Sequence, residues 1–123
     1  MEIQDEAFVS SFMKPWNDHD VDGAMTMMTD DCVWEMLRGS ELHGTRFDGS
    51  TAVRAAIAAL FKAMPDVRYD LVHGSVGRDL VVFELLVTGT PAAGGPVKFH
   101  ACDVMTIRDG KVAAKRSYRK VAG

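Results

Sequence analysis

The sequence predicts an α+β domain, and three observations carry that prediction. Helical patterns occupy the N-terminal half, interleaved with short strand patterns. Leu80 to Thr88 is a nearly unbroken apolar run of strand length, as suits a central strand covered on both faces. The C-terminal stretches Val97–Ile107 and Lys111–Val121 are joined by Arg108-Asp109-Gly110-Lys111, and Asp-Gly supplies the positive φ that a tight hairpin needs. Helices interleaved with strands and followed by an antiparallel meander make an α+β architecture. No internal repeat, linker or low-complexity segment interrupts the chain, so residues 1–123 read as one domain.

Residues 4–17 predict the first helix, because Phe8, Phe12 and Met13, with Val9 and Trp16, recur at spacings of three and four. Pro15 should kink or end it. Asn17-Asp18-His19-Asp20 is a turn, and Asp20 can cap a short helix over about residues 21–29. Met25, Met27 and Met28 in that helix read as core filler. Cys32 to Leu37 is a strand with Cys32, Trp34 and Met36 on one face and Val33, Glu35 and Leu37 on the other. Residues 38–49 are a Gly-rich loop carrying His43, Arg46 and Phe47. Ser50 or Thr51 should cap a third helix over 51–64, whose apolar stripe is Val53, Ile57, Leu60, Phe61 and Met64. Val67–His73 is a strand, 74–79 a turn region, and 89–96 a Gly/Pro loop.

Composition narrows the classes. The chain is 47% apolar and 25% charged, which is globular rather than disordered. A net charge of −3 gives no electrostatic case for nucleic acid or an anionic membrane surface. No apolar run approaches the roughly 20 residues of a spanning helix, and the acidic N-terminus does not read as a secretory signal. Cys32 and Cys102 lack metal-ligand spacing and read as reduced, buried thiols in a cytoplasmic protein. No histidine and carboxylate set has metal-ligand spacing either, so neither a metal nor another cofactor is expected.

The motifs then form a pattern. Asn17-Asp18-His19-Asp20-Val21-Asp22-Gly23, followed by Thr29-Asp30-Asp31-Cys32-Val33-Trp34, resembles the opening of the nuclear transport factor 2-like superfamily. Gly44-Thr45-Arg46-Phe47-Asp48-Gly49 and Ala63-Met64-Pro65-Asp66 are similar to its SnoaL-like branch. Val87-Thr88-Gly89-Thr90, Cys102-Asp103-Val104 and Asp109-Gly110-Lys111-Val112 extend the resemblance over residues 5 to about 121. It implies a cone-shaped curved antiparallel sheet wrapped around three helices, with a pocket in its mouth and a dimeric habit.

Members of that superfamily diverge in activity, so the resemblance does not carry one mechanism. Where ketosteroid isomerases have a basic aspartate this chain has Met36, and at the oxyanion tyrosine it has Phe12. Their second oxyanion donor, an aspartic acid, does match Asp103. SnoaL-type cyclases have a histidine where Pro91 stands here and an aspartate where Lys120 stands.

The candidate catalytic residues are Asp103, Tyr118 and His43. Asp103 shares the apolar face of Val97, Phe99, Ala101, Met105 and Ile107, where a carboxylate must be paired, be protonated or face a cavity. It is either a pocket acid or a structural carboxylate paired with Arg116 or Arg119 across the hairpin. Tyr118 either presents its hydroxyl beside Asp103 or packs, and a bulge would exchange its side of the strand with Ser117 and Arg119. His43 is either a base at the pocket mouth or an exposed loop histidine. Glu84 is either paired with a basic residue on the neighbouring strand or a pocket acid. His100 should face away from Asp103. Trp34, Met36, Phe61, Phe83 and Met105 are the expected apolar lining, in a pocket between the inner sheet face and the first and third helices.

Two functions compete. One is a small-molecule enzyme of isomerase, cyclase or hydrolase type, using general acid–base chemistry on an apolar carbonyl-containing or polycyclic substrate. The other is a non-catalytic ligand-binding or dimerisation module, favoured by the loss of the usual bases at Met36, Pro91 and Lys120. The doubly apolar strand Leu80–Thr88 also predicts a homodimer through the outer face of the sheet.

Overall fold

The computed structural model describes residues 5–121. Its elements are α1 (Asp5–Asp18), α2 (Val21–Thr26), β1 (Met28–Glu35), β2 (Arg46–Asp48), α3 (Ser50–Ala63), β3 (Arg68–Val76), β4 (Leu80–Gly89), β5 (Val97–Arg108) and β6 (Lys111–Arg119). The six strands form one sheet in the order β2-β1-β6-β5-β4-β3. It is curved and unclosed, and every pairing is antiparallel except that of β1 with β6. The start of the first helical pattern, at Gln4, lies outside the described residues.

Local chemistry accounts for most boundaries. Asp20 caps α2 as expected, accepting the Gly23 N–H at 3.0 Å through its side chain. That helix is shorter than the pattern suggested, and Met28 already belongs to β1, buried against the core. Pro15 does not stop α1, which continues to Asp18. The expected cap of α3 is also corrected: Gly49 occupies the cap position, no side chain makes a capping bond, and Ser50 is already helical. Within the Gly-rich loop, Arg46–Asp48 forms the short strand β2, pairing with Val33–Glu35.

Strand parity sorts the sheet into two faces. Val81, Phe83, Leu85 and Val87 of β4 and Ala101, Asp103, Met105 and Ile107 of β5 are buried on the inner face. Val82, Glu84, Leu86, Cys102 and Val104 lie half-buried on the outer one. The helices close the inner face: α1 packs on β3 and α3 on β1. Phe12 meets Phe83 edge-on at 5.9 Å, and Trp16 meets Trp34 at 5.5 Å and Phe61 at 6.0 Å. Asn17 ties the end of α1 to β3, donating to the Tyr69 carbonyl at 2.9 Å and accepting the Tyr69 N–H at 2.8 Å. Beside that pair of hydrogen bonds the Tyr69 ring stands against Trp16, 5.9 Å away and nearly perpendicular.

One irregularity decides the chemistry of β6. The β5–β6 register shifts between Thr106 and Ile107, where Thr106 faces Ala114 but Ile107 faces Val112. Ala113 is therefore an extra residue, a bulge that flips every later side chain to the other face. Lys115, Ser117 and Arg119 turn inward opposite Met105, Asp103 and Ala101, while Arg116 and Tyr118 turn outward.

Candidate functional site

Asp103 sits at the centre of a polar cluster in the otherwise apolar interior. The Ser117 hydroxyl donates to Asp103 Oδ1 at 2.7 Å. It accepts from Lys115 Nζ at 3.1 Å and from the Trp34 indole N–H at 3.4 Å. One donated and two accepted bonds use the full capacity of a hydroxyl. Lys115 Nζ also stands 3.4 Å from Asp103 Oδ2, and both side chains are only 7% exposed. The ammonium lies 4.7 Å from the Trp16 ring centre and 4.8 Å from that of Trp34, so two aromatic faces cover it. Neither arginine expected to pair with Asp103 does so. Arg116 donates instead to the Thr106 hydroxyl at 2.7 Å on the outer face, and Arg119 stacks on Phe99.

Two further polar groups border the cluster. Burial and the nearby charge of Asp103 hold the Tyr69 phenol well above the usual tyrosine range, so it remains a donor through ordinary pH. Among the described residues, the indole nitrogen of Trp16 is the buried side-chain polar atom without a hydrogen-bond partner. Its ring is held edge-to-face against Trp34, Phe61 and Tyr69, the setting in which weak N–H to ring contacts occur.

An open cleft of about 420 Å³ reaches this cluster between the 36–44 loop and the end of β6. Its lining includes Met36, Leu37, Leu42, His43, Ser117 and Arg119. Glu35 also borders it, ion-paired with Arg46, which donates to its Oε2 from Nε at 3.1 Å and Nη2 at 2.5 Å. Gly44 folds the loop back, with φ +76 and a position where a Cβ would lie 2.3 Å from the Met36 carbonyl oxygen. Met36 N–H donates to the Thr45 carbonyl at 2.9 Å, and Thr45 N–H to that of Arg38 at 2.7 Å, which fixes the loop as a rim.

The sequence-derived candidates separate in space. Asp103 is at the centre. His43 is exposed on the rim loop, its Nδ1 2.8 Å from the Gly44 carbonyl. Tyr118 lies opposite Cys102, is 56% exposed and borders the cleft beside Ser117, and among the described residues no hydrogen bond joins it to Asp103. Met36 lines the open cleft, whereas Trp34, Phe61, Phe83 and Met105 pack into the core cluster. Glu84 makes no ion pair among the described residues and faces a second cleft, of about 460 Å³, on the outer side of the sheet with His73, His100, Cys102 and Tyr118. It is therefore not an acid of the interior cluster. Lys115 and Ser117 were missed as site residues, because the bulge at Ala113 that turns them inward shows only in the strand register. Among the described residues no group of three or more His, Cys, Asp or Glu side chains is placed to hold a metal, and no helix is long and apolar enough to cross a membrane. Both cysteines are free thiols.

A curved, unclosed six-stranded sheet with helices in the N-terminal half is the fold of nuclear transport factor 2-like structures. The chain belongs to the family of the SnoaL-like domain, whose model matches residues 9–115. Among solved structures it is similar to a proposed SnoaL-like polyketide cyclase from Jannaschia sp. CCS1, at 21% identity and TM-score 0.77 over 95% of this chain and 85% of that one. It is also similar to an NTF2-like protein from Anabaena variabilis, at 16% identity and TM-score 0.78 over 97% and 88%. A third is a protein of ketosteroid isomerase-like fold from Catenulispora acidiphila, in complex with trimethylamine, at 13% identity and TM-score 0.76 over 90% and 83%. At these identities the likeness is one of fold. Comparison with functionally curated proteins finds no match.

Proposed function

We propose that this chain is a small-molecule enzyme that uses general acid–base chemistry on an apolar carbonyl-containing substrate. The observation that supports the reading best is the Ser117 hydroxyl, which lines the open cleft and bonds Asp103 inside. A ligand oxygen entering the cleft meets that hydroxyl first. When the Ser117 hydroxyl turns from Asp103 to donate to that oxygen, the carboxylate is freed to take and return the α proton. A buried ion pair is a weak stabilising device, because desolvation offsets most of its attraction. A Lys–Asp–Ser cluster between two tryptophans thus contributes less to stability than apolar packing would, and it is suited to proton transfer.

The test is exchange of the protons α to the carbonyl of 2-tetralone in deuterated buffer, followed by NMR. Acceleration over buffer is expected, with a loss on the order of 100-fold in Asp103→Asn. No acceleration over buffer by the wild-type chain for 2-tetralone or related aryl ketones sinks the enzymatic reading. The second reading, a non-catalytic binding or dimerisation module, is supported by the closeness of Lys115 to Asp103, and it then takes over.

A further inference from the structure

We propose that Arg119 is the anion-binding residue of this site, so that its ligand is an apolar molecule carrying a carboxylate. This rests on the reading that the cleft beside Ser117 takes a small molecule.

The placement comes from the bulge at Ala113. It turns Arg119 to the inner face opposite Ala101, two residues beyond Ser117 on the same side of β6. Two residues along a strand span about 7 Å. The inner face therefore presents Asp103 with Ser117, then Ala101 with Arg119, then Phe99, in that order toward the end of the hairpin strands.

The guanidinium is held but not consumed. Its carbon lies 3.9 Å from the Phe99 ring centre, and its Nε donates to the Lys120 carbonyl at 3.2 Å. Those contacts fix the plane of the fork while leaving its terminal nitrogens without a bond among the described residues. Arg46, Arg54, Arg68 and Arg108 each hold a carboxylate, and Arg116 holds Thr106. No carboxylate of the described residues lies within ion-pair distance of Arg119. A planar fork already oriented by stacking is suited to a carboxylate, which it meets with two parallel bonds.

The rest of the cleft fits the same ligand. Met36, Leu37 and the fully exposed Leu42 give an apolar wall. The cleft's own carboxylate, Glu35, is ion-paired with Arg46, which offsets its repulsion of an anion. The chain as a whole carries −3, so an anion is drawn by this local arrangement and not by the overall field.

Calorimetric titration with 2-naphthylacetate and with its methyl ester tests the proposal, because the two share a body and differ in charge. The acid is expected to bind on the order of tenfold more tightly than the ester. Arg119→Gln should bring the acid down to the ester's affinity and leave the ester unchanged, and Arg119→Lys should keep part of the preference. Met36→Trp, which fills the cleft, should remove binding of both. Equal binding of acid and ester, or a preference that survives Arg119→Gln, overturns the role of Arg119 while the small-molecule cleft stands. Binding that survives Met36→Trp overturns the location. Absence of saturable binding of either probe to the wild-type chain overturns the cleft itself and this assignment with it.

Discussion

Ser117 and Asp103 face each other across the β5–β6 pair, and the serine hydroxyl donates a 2.7 Å bond to the aspartate. Lys115, two residues earlier on the same face, completes a triangle with them. This arrangement decides how the interior responds to substitution. Asp103 and Lys115 are both buried, each hydrogen-bonds Ser117, and the two pair by charge at 3.4 Å.

Removing one member should therefore cost far more than removing the pair. Lys115→Met leaves a buried carboxylate without its cation, a loss of about 3–5 kcal/mol. The double variant Asp103→Leu/Lys115→Met should recover most of that loss, since apolar residues of similar volume fill the same space. Urea unfolding of the two singles and the double gives the coupling directly. Additive losses would mean that the two side chains do not act as a pair.

The rim loop makes a second, independent prediction. Gly44→Ala forces a side chain into positive φ and against the Met36 carbonyl. The strain should lower stability by roughly 1–3 kcal/mol. It should also loosen the bond from Met36 to Thr45, so that Met36 and His43 no longer border the cleft. A melting temperature matching wild type would show that the loop accommodates the methyl group without refolding.

How much of this was legible in the sequence depended on parity. The elements themselves were readable, because Phe12 and Trp16, Val53, Ile57 and Phe61, and the alternation of β5 all follow plain helical or strand periods. Asp103 was readable for the same reason, as a carboxylate on an apolar face. Its partner was not. A strict alternation from Val112 would have pointed Arg116 and Tyr118 inward, and only the extra residue Ala113 sends Lys115, Ser117 and Arg119 there instead. Nothing in the local sequence announces a bulge between two alanines. The Asn17–Tyr69 link was equally hidden, since it joins residues 52 positions apart through a side chain that reads as part of a turn.

The outer face of the sheet predicts a homodimer. Val82, Leu86, Cys102 and Val104 lie there half-buried, beside the exposed Tyr118. A second copy is the simplest cover for such a surface. Light scattering on an eluting peak should give twice the chain mass of 13.5 kDa, and Leu86→Lys should shift the protein toward a single chain. A wild-type mass near one chain at micromolar concentration refutes the dimer.

The last prediction concerns alkaline pH and isolates one side chain. Burial first, and the charge of Asp103 second, hold the Tyr69 phenol above the usual tyrosine range in the folded chain. In the unfolded chain it ionises near its ordinary value of about 10. Below that pH both states keep the proton, and the contribution of Tyr69 to stability is complete. Above it the unfolded chain releases a proton that the folded chain retains. The folded state then binds more protons, and stability falls as pH rises. The decline attributable to this group approaches about 1.4 kcal/mol for each further pH unit until the folded phenol itself ionises. Lysines, cysteines and Tyr118 titrate in the same range, so the measurement compares wild type with Tyr69→Phe. Urea unfolding at pH 9 and pH 11 should show wild type losing more stability than the variant over that interval. Absorbance at 295 nm should show the variant lacking the later part of the phenolate rise. Parallel losses in the two proteins would mean that Tyr69 ionises as freely in the fold as outside it, and that it does not border the Asp103 cluster in the way its distance from Trp16 implies.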